Sequence, residues 1–69
     1  RIRYTDNTSQ LYDELYGAFG LDNWVPVREC LKVTKLDPID FELALESLEI
    51  LGSLVRVKND IMILKKTKK

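Results

Sequence analysis

Histidine is missing altogether, and with it the side chain most often used as a general base or metal ligand near neutral pH. A single cysteine, Cys30, excludes an internal disulfide and a zinc site of the Cys/His kind. With three glycines and two prolines, the chain has no Gly-rich phosphate loop. No apolar run approaches the ~18 residues of a membrane span. The stretch from Arg1 to Gln10 is polar, unlike a signal peptide. These absences leave no catalytic constellation, so an enzyme is not expected, nor a cofactor, a metal, a small-molecule substrate or a membrane. A lone Cys in an apolar-periodic stretch reads as a small buried hydrophobe. A reduced thiol without disulfides fits an intracellular setting, cytoplasm or nucleus.

The 69 residues suffice for one small domain with a thin core. Hydrophobic residues make up 45% and charged residues 32%, a globular balance. The net charge is zero, but its signs are segregated. Arg1 and Arg3 open the chain, and Arg56, Lys58, Lys65, Lys66, Lys68 and Lys69 close it. Most of the acids lie between, from Asp13 to Glu49. A basic end and an acidic body are expected. The start without Met is read as a fragment or processed form, and the Lys-rich end as continuing into, or cut from, a longer chain.

Residues 1–8 are expected to be an extended N-terminal segment, on the weak alternation of Ile2 and Tyr4 with polar neighbours. Asn7, Thr8 and Ser9 are N-cap types. Leu11, Leu15, Ala18 and Phe19 recur at helical spacing, and Gly20 follows, so a first helix is expected from Ser9 to Phe19. Trp24-Val25 reads as a short β step, with Trp24 closing the core. Pro26 then starts a second helix to Val33, with Val27, Cys30, Leu31 and Val33 as its apolar residues. Asp37-Pro38 supplies an N-cap and an N1 residue, and the third helix is expected from Pro38 to Leu51, stopped by Gly52. Leu54, Val55 and Val57, a polar turn at Lys58-Asn59-Asp60, and Ile61 to Leu64 read as a hairpin. Residues 65–69 are expected to be a disordered basic tail.

Helix, β step, helix, helix and hairpin make an α+β order that resembles the winged-helix superfamily. Trp24-Val25-Pro26-Val27 is similar to that family's short first strand entering its second helix. Phe41, Leu45, Leu48 and Gly52-Ser53-Leu54-Val55 are similar to its third helix entering the wing. The resemblance spans 9–64 and implies three helices, a short first strand and a C-terminal hairpin wing. It specifies fold better than role.

Winged helices that bind DNA usually lay the third helix in the major groove, with Arg, Lys, Asn or Gln outward. At about 100° per residue, Phe41, Ala44, Leu45 and Leu48 share one side of the third helix. Ile39, Leu43 and Ile50 share the opposite side, within about 40°. Glu46 lies beside that stripe, Glu42 and Glu49 flank it, and Asp40 and Ser47 border its other edge. No Lys or Arg occurs between Asp37 and Leu51. DNA affinity comes largely from neutralising phosphates, which this face would oppose. The expectation is therefore a non-catalytic protein–protein interaction module, part of a multi-subunit assembly, docking through Ile39, Leu43, Glu46 and Ile50. Packing of Ile39 and Ile50 against neighbouring segments, or a homodimer, are the competing explanations of the stripe.

Duplex DNA is the alternative partner. Arg56 and Lys58 are two residues apart, which on a strand places both on one face. Lys65 and Lys66 extend the basic region. A wing-led mode would set these four on phosphates while the third helix faces away.

Overall fold

In the computed structural model the described residues are 6–65. They form α1 (Asp6–Phe19), β1 (Trp24–Pro26), α2 (Val27–Val33), α3 (Pro38–Leu51), β2 (Leu54–Val57) and β3 (Asp60–Ile63). The strands make one antiparallel sheet in the order β1-β3-β2. Three helices and a three-stranded antiparallel sheet make an α+β domain, an arrangement compatible with a winged helix.

α1 begins at Asp6, three residues before the expected start. Thr8, Leu11, Tyr12 and Leu15 are all buried. Their spacing extends the inward stripe one turn back to Thr8, so Thr8 is a core residue within the helix. The expected extended segment is thus helical at 6–8, and 1–5 lie outside the described residues. Ala18, expected inward, is exposed. Gly20 takes φ 76° and donates its N–H to the Tyr16 carbonyl at 2.9 Å, closing the helix as its sequence suggests.

Pro26 belongs to the end of β1 and caps α2, which starts at Val27. The Val27 N–H donates to the Asn59 carbonyl at 2.8 Å, holding the start of α2 to the hairpin turn. Only Cys30 of α2 is buried, while Leu31 and Val33 are exposed. A seven-residue helix turns one narrow side to the core, and Cys30 takes it. Burial pushes the Cys30 thiol up to about 11, so it is a neutral packing group.

α3 has the bounds its sequence predicts. Asp37 stands at the N-cap without a capping side-chain bond. The Asp37 carboxyl neighbours that of Asp40 and raises its pKa, through side-chain hydrogen bonding and through its charge. Gly52 ends the helix at φ 83°, and the Ser53 N–H reaches the Leu48 carbonyl at 2.9 Å.

The core joins Leu11, Tyr12 and Leu15 of α1, Cys30 of α2, and Phe41, Ala44, Leu45 and Leu48 of α3 to Val25, Leu54, Ile61 and Ile63 of the sheet. Trp24, expected to close this core, is 50% exposed. Side chains alternate along a strand, and Val25 takes the inward position on β1, so Trp24 points out.

Candidate interaction surface on helix three

The side chains that cover the core side of α3 leave the other side bare. Phe41, Ala44, Leu45 and Leu48 are buried, whereas Ile39, Leu43 and Ile50 are 74%, 59% and 58% exposed. Neither Ile39 nor Ile50 is tucked under a described segment. Their exposure removes the explanation that neighbours among the described residues cover them. The three share one helix face over about three turns.

Acids border this stripe. Glu42, Glu46 and Glu49 are exposed along one edge, and Asp40 is half-buried on the other. Glu42 meets the Arg56 guanidinium at 3.8 Å. Among the described residues no ion pair involves Glu46 or Glu49. The last turn of α3 carries no basic residue, although the helix dipole favours one there.

The basic hairpin is arranged differently from its sequence expectation. β2 ends at Val57, and Lys58 lies in the turn at φ 57°. Lys58 is therefore off the strand, where a two-residue turn joins Val57 to its partner Asp60. Arg56 pairs with Ile61, which in turn pairs with Val25, so its side chain starts from the core side of the sheet and leans on α3. Arg56 and Lys58 thus do not form the two-residue strand face expected of them. Lys65 is exposed and lines an open groove with Tyr12, Asp13, Tyr16 and Leu21. Lys66 lies outside the described residues.

A second apolar surface was not read from the sequence. Trp24 pairs with Met62, and Met62 with Val55, so the three stand in a row on the outer face of the sheet. Val57, exposed, lies on the same side of β2 as Val55. The signal was present in the strand period: with Val25, Ile61 and Leu54 inward, their neighbours must point outward.

A polar clamp holds the helices that carry the α3 face. Glu14 on α1 accepts from the Thr34 hydroxyl at 2.6 Å and the Lys35 N–H at 3.0 Å, and Gln10 donates to it at 3.1 Å. Thr34 Oγ1 in turn accepts from the Leu36 N–H at 3.1 Å. Desolvation raises the Glu14 pKa, but the bonds from Thr34, Gln10 and Lys35 and the Lys35 charge outweigh it, and the carboxyl ends below its usual range. The clamp fixes the loop between α2 and α3 against α1, and so the angle at which α3 presents its outer side.

Among the described residues no cluster of His, Cys, Asp or Glu is placed to hold a metal, and no helix is long and apolar enough to cross a membrane. Compared with known protein families, with curated proteins and with solved structures, the chain matches none.

Proposed function

We propose that this chain is a winged-helix module that binds another protein through the outer face of α3, as one piece of a larger assembly. Ile39, Leu43 and Ile50 supply the apolar contact, and Glu46 beside them sets orientation. The reading is carried by one observation: three large aliphatic side chains on one helix face, each more than half exposed, with acids along both edges. Isolated exposed leucines are ordinary on protein surfaces, but an aligned apolar stripe with a charged border is typical of a docking helix. The absence of Lys and Arg from α3 weighs against insertion into a DNA groove.

Two features support an unmoving platform rather than a site of chemistry. The buried, neutral Cys30 has no activating neighbour, and the Glu14 clamp spends its carboxylate on backbone and hydroxyl partners.

The test is a paired capture with purified, folded wild type and Leu43→Asp, followed by reconstitution with the isolated partner. A partner retained by the wild type, lost from Leu43→Asp at unchanged thermal midpoint and kept by Arg56→Ala/Lys58→Ala supports docking through α3. Equal retention by Leu43→Asp would end this reading. Loss confined to the Arg56→Ala/Lys58→Ala variant, with steep salt dependence, would favour the wing-led duplex reading instead.

A further inference from the structure

The α3 face has a directional charge pattern. Glu42, Glu46 and Glu49 follow one another at i, i+4 and i+7 along a single edge of the Ile39–Leu43–Ile50 stripe, while the opposite edge carries Asp40 and Ser47. Like charges at i,i+3 and i,i+4 repel, so Glu46 is disfavoured by both of its neighbours. Glu49 stands in the last turn, where the helix dipole also disfavours an anion and where no base accompanies it. Arg56 relieves Glu42 alone. Glu46 and Glu49 meet no cation among the described residues. The free helix therefore carries a local electrostatic cost at the edge of its exposed apolar stripe.

We infer that the occupant of this face is an amphipathic helical segment of another protein, with an aliphatic stripe and a row of Lys or Arg along one edge. The inference rests on the docking role proposed for α3 and names the partner's chemistry. Aliphatic residues at i, i+3 or i+4 and i+7 would cover Leu43 and its neighbours. The basic row would lie along Glu46 and Glu49 and relieve the repulsion there. An apolar stripe from Ile39 to Ile50 is about 16 Å long, the length of a helix of about 11 residues. The same charges argue against other occupants. A nucleic acid or an anionic lipid surface would bring more negative charge to the acidic edge. A second copy docked α3 against α3, in parallel or antiparallel register, would bring another acidic helix with no Lys or Arg of its own.

The test pans a displayed library of helical peptides of about 16 residues on the wild-type domain, with Leu43→Asp as counter-selection. The expected binders depend on Leu43 and carry Lys or Arg along one edge of an aliphatic stripe. Glu46→Lys with Glu49→Lys should weaken them roughly tenfold, and exchanging the peptide's basic row for Glu should restore binding. Leu43-dependent binders with neutral or acidic edges, or binding indifferent to the double Lys variant, would overturn the basic partner and leave the docking face standing. No Leu43-dependent binder at all would overturn both. A Leu43-dependent dimer in sedimentation would overturn the inference in favour of a second copy. A separate readout needs no ligand: Glu46→Gln/Glu49→Gln should raise the thermal midpoint of the free domain, and a fall would contradict the local cost from which the partner's charge is argued.

Discussion

Arg56 on β2 reaches across to Glu42 on α3, with guanidinium and carboxylate 3.8 Å apart. This contact joins the basic hairpin to the acidic helix and consumes one charge from each. The hairpin loses a cation that a phosphate backbone could use, and on the acidic edge of α3 Glu46 and Glu49 are left with no cation partner among the described residues. Both side chains are partly exposed, so the pair is worth at most about 1 kcal/mol to stability. Its weight is in how the surface charge is divided.

Glu14 should make stability depend on acid. Its carboxyl is below its usual value when folded, so its contribution is fully present above the unfolded value of 4.5 and is lost as pH falls through the lower folded value. Glu14→Gln should cost about 1 kcal/mol at pH 7, from weakened bonds to Thr34 and Lys35. The gap between wild type and variant should shrink under acid. Urea unfolding at neutral and acidic pH measures both, and a gap independent of pH would contradict the clamp.

Cys30 should resist alkylation in the folded protein. Its thiol is raised from 9.0 to about 11, so the thiolate is scarce at neutral pH and is also sterically covered. Below pH 9.0 the thiol is neutral whether folded or unfolded, and stability is independent of it. As pH rises from 9.0 toward about 11 the unfolded chain ionises its thiol, the folded one does not, and stability declines. Iodoacetamide labelling should track global unfolding. Rapid labelling under native conditions would contradict the buried placement.

Two glycines should respond oppositely to alanine. Gly17 lies inside α1 at negative φ, with open space where a Cβ would stand, so Gly17→Ala should stabilise by about 0.5–1 kcal/mol. Gly52 holds φ 83° at the end of α3, so Gly52→Ala should destabilise by about 1 kcal/mol or more. Thermal unfolding of the pair checks the sign of each.

Trp24 should behave as a surface indole. It is half exposed, so its fluorescence should lie to the red and be quenched readily by acrylamide. A blue, protected emission would mean that the outer face of the sheet is covered in solution.

Sequence legibility followed how strongly each segment was specified. α3 was readable to the residue because Asp37-Pro38 and Gly52 mark both ends and its apolar positions form two clean stripes. Its exposed face was readable for the same reason. The start of α1 is not legible because Asn7, Thr8 and Ser9 are all cap-like, and only packing places Thr8 inside. The short elements were less legible. In β1, three residues long, nothing local decides whether Trp24 or Val25 faces the core. In the hairpin, the Arg56–Lys58 strand face does not form because β2 ends at Val57 and Lys58 lies in the turn at φ 57°. The outward row of Trp24, Met62 and Val55 required the strand register, which tertiary pairing sets.

The most direct measurement is NMR chemical-shift mapping of the domain during titration with the partner that the wild type retains and Leu43→Asp loses. The largest changes should fall on Ile39, Leu43 and Ile50 and on the flanking Glu46 and Glu49, with the hairpin turn at Lys58 unaffected. Changes centred on Arg56 and Lys58, or on Trp24, Met62 and Val55, with α3 silent, would contradict docking through the outer face of α3.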